Sequence, residues 1–233
     1  MATPTPTIRS ANTTLLEVGP VAQLRAGRLG RRFPQLFVGL VLYGVSLAMM
    51  VRSTLGLAPW DVLHSGLTGR VPLTIGQVIV VLSFVVLVLW IPLREKPGIG
   101  TIANAIVVGL AADAVLALLE RPDSLVLRGG LLVIGVVLNG LATALYIGAQ
   151  LGRGPRDGLM TGLARRTGWS LRLVRTGLEA VVLLLGLALG GVLGVGTVLY
   201  ALAIGPLTQL MLPWCTVALR APTTEPKVSA GSR

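Results

Sequence analysis

The feature that most constrains this chain is a series of long runs with almost no charge. Residues 33–51, 71–93 and 129–151 contain no Asp, Glu, Lys or Arg; residues 98–119 carry only Asp113, and residues 176–219 carry only Glu179. A helix that crosses about 30 Å of hydrocarbon needs roughly 20 apolar residues. The first four runs are one helix each. The fifth is long enough for two, with the Gly-rich stretch 190–196 as the hinge. The chain therefore reads as an all-α, polytopic membrane protein of about six transmembrane helices. Its charged residues amount to 12 %, against roughly a quarter in soluble domains.

The net charge of +11 would suggest nucleic acid in a soluble protein. Here the bilayer explains it: acidic residues are costly in hydrocarbon, and Lys and Arg mark cytoplasmic ends of spans. With the N-terminus inside, sixteen of the twenty Lys and Arg fall on cytoplasmic segments, and only Arg52, Arg70, Arg121 and Arg128 fall outside. That split expects both termini in the cytoplasm and an even number of spans. Residues 1–32 read as a disordered basic cytoplasmic arm, with no secretory h-region before the first span. Residues 220–233 read as a polar cytoplasmic tail. The cluster Arg25–Arg32 serves as an orientation signal or as a contact for anionic headgroups.

The sequence matches itself at an offset of 96 residues. Gly39 pairs with Gly135, Gly44 with Gly140, Gly56 with Gly152, Pro59 with Pro155 and Asp61 with Asp157. The match runs on through Gly66/Gly162, Arg70/Arg166, Gly98/Gly194, Gly100/Gly196 and Thr101/Thr197. Apolar matches alone would follow from composition; the Gly, Pro, Asp, Arg and Thr pairs do not. Two membrane repeats, 33–119 and 127–215, hold three spans each. An odd number of spans makes the second copy enter from the opposite face, so the repeats are expected to be inverted, as in many secondary transporters.

The best-matched polar motif is G-L-A-P-W-D-V-L at 56–63, answered by G-R-G-P-R-D-G-L at 152–159. Gly then Pro stops the incoming helix, and Pro suits the first turn of a new one. Asp61 and Asp157 fall where a carboxylate meets free N–H groups and the positive end of a helix dipole. Each new helix of about 11 residues would be about 17 Å long, half a bilayer. Two placements fit. The short helices dip into the membrane from opposite faces and line a solute pathway, or they lie flat at the interfaces with Trp60 as an anchor. The candidate substrate-binding residues are Pro59, Trp60, Asp61, Pro155, Arg156 and Asp157. Trp60 and Arg156 differ at equivalent places, so the copies are not functionally identical.

Polar groups inside the spans are the other candidates. Asp113, Glu179, Asn104, Asn139 and Gln209 all sit in apolar blocks. A carboxylate there couples protons or binds a solute, or it is neutralised by a neighbour. Glu179 lies four residues after Arg175, which offers an ion pair; Asp113 is deeper in its run and the better coupling candidate. The amides suit interhelical hydrogen bonds. The elements 98–101 and 194–197, both G-x-G-T, suit close backbone packing. The single Cys215 excludes an internal disulfide, and His64, placed in an outer loop, is the only His. No metal box, cofactor loop or catalytic set appears, so neither metal nor cofactor nor enzymatic activity is expected.

The duplicated motifs, with G-P-R-D-G-L-M at 154–160 as the most specific piece, resemble the YitT/YczE-like family of bacterial integral membrane proteins over roughly residues 33–215. The resemblance implies a bacterial plasma-membrane protein and, as is assumed for that family, transport of small molecules, but no particular substrate. The expected function is secondary transport or export of a small organic solute. The alternative is a non-transporting membrane scaffold or regulatory partner. The lipid bilayer and a small solute are the expected partners; nucleic acid is not, and the oligomeric state is left open.

Overall fold

The computed structural model describes residues 19–219, and among them every regular element is a helix. In chain order these are α1 (Pro20–Arg25), α2 (Leu29–Ser53), α3 (Pro59–Thr68), α4 (Ile75–Leu93), α5 (Ile99–Leu118), α6 (Leu125–Gly148), α7 (Pro155–Thr167), α8 (Leu171–Ala188) and α9 (Val195–Cys215). Shifting the starts of α2, α3, α4 and α5 by 96 gives the starts of α6, α7, α8 and α9. Each repeat is thus a long helix, a short helix and two long helices.

Five helices are long and apolar enough to cross a membrane: α2, α4, α5, α6 and α9. α8 departs from the expected six because Arg172, Arg175 and Glu179 occupy its first half. Large apolar side chains such as Val88, Ile91, Leu110, Val126, Leu202 and Leu210 stand exposed along the long helices, the surface that lipid covers.

At the centre, α2 packs along α6, with equivalent helices antiparallel. Near the start of α2, Gln35 Nε2 donates to Leu145 O at 3.0 Å; midway, Asn139 Nδ2 donates to Ser46 Oγ at 2.8 Å; at the end of α2, Arg128 Nε donates to Ser53 O at 2.8 Å. Glycine permits the close approach, and it does so reciprocally. A Cβ on Gly39 would press on Ala142 and Tyr146, and one on the equivalent Gly135 would press on Ser46 and Met50, the partners shifted by 96. The other long contacts are α5 on α2 and, equivalently, α9 on α6. The short helices are exchanged between repeats: α3 packs on α8, and α7 packs on α4. Here the seam is complementary in size. Trp90 fills the space above Gly158, whereas at the equivalent place Gly186 makes room for Val62 and Leu63.

The G-x-G-T elements carry out the close packing expected of them. Gly100 N donates to Leu151 O at 2.8 Å, and Gly196 N donates to Leu55 O at 2.8 Å. Each element therefore grips the chain break of the other repeat. Gly56 (φ +126°) and Gly152 (φ +139°) sit at those breaks in backbone that only glycine adopts without strain.

The expected disordered arm needs correction where it is described. Residues 20–25 form α1, and Arg28–Arg32 open into the first turn of α2. Arg32 is fully buried, with Nε donating to Ala149 O at 2.8 Å and Nη2 to Gln150 O at 2.6 Å. It neutralises the carbonyls at the end of α6, where a cation is favoured. The rest of the arm, 1–18, and the tail, 220–233, lie outside the described residues.

Candidate functional site

Proline at the first position of α3 and α7 starts both short helices where the chain breaks after α2 and α6. Those two starts share one cavity of about 220 Å³. Pro59 and Trp60 line it from one repeat, and Pro155, Arg156 and Asp157 from the other. The remaining wall comes from the long helices, with Tyr43, Asn104, Tyr146, Glu179 and Tyr200 among the lining residues. The structure therefore brings together five of the six proposed binding residues, and Asp61 lies immediately behind them, 1 % exposed.

Trp60 and Arg156 hold equivalent positions in the two repeats, and they meet. The Arg156 guanidinium carbon lies 5.2 Å from the centre of the Trp60 ring, a cation–π distance. Arg156 Nη2 reaches Asp61 Oδ1 at 3.5 Å, longer than an ordinary hydrogen bond. The closer partner of Asp61 is His64, whose Nδ1 is 3.0 Å from the same oxygen. His64 is thus not in an outer loop as expected. It lies inside α3, 1 % exposed, because the i,i+3 spacing turns it back onto Asp61 in the protein interior. Across the cavity, Tyr146 Oη donates to Asp157 Oδ2 at 2.5 Å. The residues at the N-cap positions, Ala58 and Gly154, make no side-chain cap bond. Among the described residues both carboxylates bond side chains, and neither accepts from the helix-start N–H groups that the spacing suggested.

The other polar candidates separate by place. Glu179 lines the cavity and accepts from Arg175 Nε at 2.9 Å, the i,i+4 pair legible in the sequence. Asn104 and Gln209 also line the cavity. Asn139 does not; it is 1 % exposed and satisfied, accepting from Tyr200 Oη at 3.1 Å and donating to Ser46. Asp113 is elsewhere altogether. It accepts from Thr74 Oγ1 at 2.5 Å and from Gly76 N at 2.8 Å, so it caps the first turn of α4 from a neighbouring helix. A carboxylate deep in an apolar run is here level with the end of the adjacent helix, because α4 and α5 are antiparallel and closely packed. Among the described residues, no three His, Cys, Asp or Glu side chains come together as a metal site.

Sequence reasoning missed the three tyrosines and Arg175 as cavity residues. One signal was available: Tyr200 aligns with Asn104, and Tyr43 with Asn139, at the same offset of 96, so polar groups recur at matched depths.

The two repeats differ in one seam. Gly76 of α4 meets Gly109 of α5 backbone to backbone, and Asp113 ties the pair. In the second repeat α8 and α9 form no such seam, and Gly205, the equivalent of Gly109, has nothing within 4 Å of where a side chain would start. Arg175 and Glu179 of α8 and Gly205, Thr208 and Gln209 of α9 line the cavity from the two sides of this gap.

Comparisons with known proteins return the family of unknown function DUF6198, which matches residues 30–213. A protein of Haemophilus influenzae is 41 % identical over 76 % of this chain and 81 % of its own length. The uncharacterized membrane protein YczE of Bacillus subtilis is 35 % identical over 76 % of this chain and 83 % of its own. YyaS of the same organism is 29 % identical over 76 % and 90 %. No solved structure matches.

Proposed function

This chain belongs to the DUF6198 family, and from that premise we propose that it is a secondary transporter of a small organic solute in the bacterial plasma membrane. The observation that carries this reading is the meeting of both short-helix starts in one polar cavity between the repeats. Discontinuous helices whose ends converge between repeats are how secondary transporters hold a solute near the bilayer midplane. In this reading α3 and α7 are re-entrant, each running from the cavity outward, and the repeats are inverted. The antiparallel pairing of α2 with α6 supports that inversion. So does the sidedness of Lys and Arg, which places both termini in the cytoplasm. α8 is the sixth crossing: its Arg175 and Glu179 face the cavity instead of lipid, which is why it fails a purely apolar criterion.

The seam asymmetry supports alternating access. With the termini inside, the closed α4–α5 seam lies on the outer side and the open α8–α9 gap on the cytoplasmic side. The structure then corresponds to an inward-facing state, and exchange of the two seams would give the outward-facing one. The role assigned to the cavity is binding and passage, not chemistry.

Purified protein reconstituted into vesicles and offered a panel of radiolabelled organic acids, amino acids and sugars should move at least one above the level of empty vesicles. Asp157→Ala should reduce that flux while the protein remains folded. Absence of flux across the whole panel would favour the alternative, a scaffold or regulatory partner of another membrane system.

A further inference from the structure

Resting on the transporter reading, we infer that the cavity takes a small monocarboxylate, held by Arg156 against Trp60. The cavity holds a guanidinium whose hydrogen-bonding capacity is under-used. Arg156 is stacked on an aromatic face, which leaves the N–H edge of its planar guanidinium free. Its one hydrogen bond, to Asp61 at 3.5 Å, is long, and among the described residues the guanidinium has no other acceptor. Beside it, the Trp60 ring, 8 % exposed, forms the face on which the guanidinium rests. Buried donors in native proteins are satisfied, and an orphan needs an explanation. The same end of the cavity receives the starts of α3 and α7, whose first-turn N–H groups and dipoles favour negative charge. The guanidinium and the two helix starts thus ask for an acceptor in one cavity.

Charge narrows the class. The lining holds two cations, Arg156 and Arg175, and two anions, Asp157 and Glu179, with Asp61 behind Arg156. With two cations against three carboxylates, a solute bearing a single carboxylate on Arg156 meets less repulsion than a dianion such as phosphate, and an ammonium on its tail would offset the added charge. Arg recognises a carboxylate through two parallel N–H bonds, a geometry that Lys does not reproduce. Size narrows it further. At about 220 Å³ the cavity lies below the roughly 300–1,000 Å³ of drug-sized ligand pockets, so the solute is small. Glu179, on the α8 wall of the cavity, is an acceptor that suits a hydroxyl or ammonium on the tail of the solute.

The test is a binding measurement on the full chain in nanodiscs, independent of transport. Propionate, lactate and alanine are the carboxylate probes; propionamide, propylamine and inorganic phosphate are the controls, all at matched ionic strength. Thermal stabilisation and equilibrium dialysis should show saturable binding of at least one carboxylate, with every control at least tenfold weaker. Arg156→Lys should weaken that binding at least tenfold. Equal binding of propionamide or propylamine, absence of binding by all three carboxylates, or carboxylate binding untouched by Arg156→Lys would overturn the inference. Carboxylate binding without flux would refute the transporter reading alone. Flux of a sugar or amine indifferent to Arg156→Lys would refute the carboxylate assignment alone.

Discussion

Arg32 and Arg128 show how much a single residue can depend on the fold that surrounds it. Both looked like charges at the ends of spans, and Arg32 belonged to a cluster read as an orientation signal. In the structure they are equivalent residues that do the same thing in opposite directions. Arg32 Nε donates to Ala149 O at the end of α6, and Arg128 Nε donates to Ser53 O at the end of α2, each at 2.8 Å. Their second contacts also correspond: Arg32 reaches Gln150, and Arg128 reaches Thr54. A hydrogen bond to a charged group is worth about 1.5–3 kcal/mol. Arg32 is fully buried and also holds Gln23 O, so Arg32→Ala should destabilise by about 3 kcal/mol or more, and the half-buried Arg128→Ala by less. Thermal unfolding in detergent, comparing the two variants side by side, checks the order. Arg128→Ala as the more damaging change would refute this account.

At the scale of elements, the informative comparison is between helices that match at the offset of 96 but not in environment. Ala112 on α5 is completely buried; its equivalent on α9, Thr208, lines the cavity beside the α8–α9 gap. In a background with Cys215→Ser, Thr208→Cys should react with a small membrane-impermeant thiol reagent applied from the cytoplasmic side. Ala112→Cys should resist it from both sides until the outer seam opens. Equal reactivity at the two positions would remove the evidence for two alternating seams. The chain breaks make a second, sharper claim. Gly56 and Gly152 combine a positive φ with a neighbouring backbone close enough to exclude a Cβ, so Gly56→Ala and Gly152→Ala should each lower the yield of folded protein. Gly190 also has a positive φ but open space around it, so Gly190→Ala should cost less. Folded yield by size-exclusion chromatography separates these cases.

For the whole molecule, the question is whether the chain crosses the membrane six times. If α8 crosses, the stretch between α8 and α9 faces outward, level with the end of α3, where Val192 N meets Ser65 Oγ. Val192→Cys should then label from outside, and a cysteine at Thr167, the last residue of α7, from inside. Labelling of both from one side would mean that α8 does not cross and would dismantle the inverted arrangement.

What the sequence determined by itself follows from rules that act locally or repeat. Uncharged runs located the long helices within a few residues, because hydrocarbon tolerates no alternative to a helix of that length. Matched Gly, Pro and Asp at an offset of 96 revealed the duplication, because composition does not generate such matches. Pro after a Gly-bearing break marked the short helices, because a residue without an N–H costs nothing at the first helical position. The tertiary structure alone decided which polar groups share a space. Asp113 was the better coupling candidate in sequence, yet it caps α4 while Glu179, paired with Arg175, faces the cavity, since only packing fixes what lies level with each. His64 turned inward for the same reason. Trp60 and Arg156 are 96 residues apart and chemically unlike, and nothing local predicts that they stack. Their meeting is a consequence of exchanged short helices, with α3 on α8 and α7 on α4, and it is that exchange which turns two separate motifs into one site.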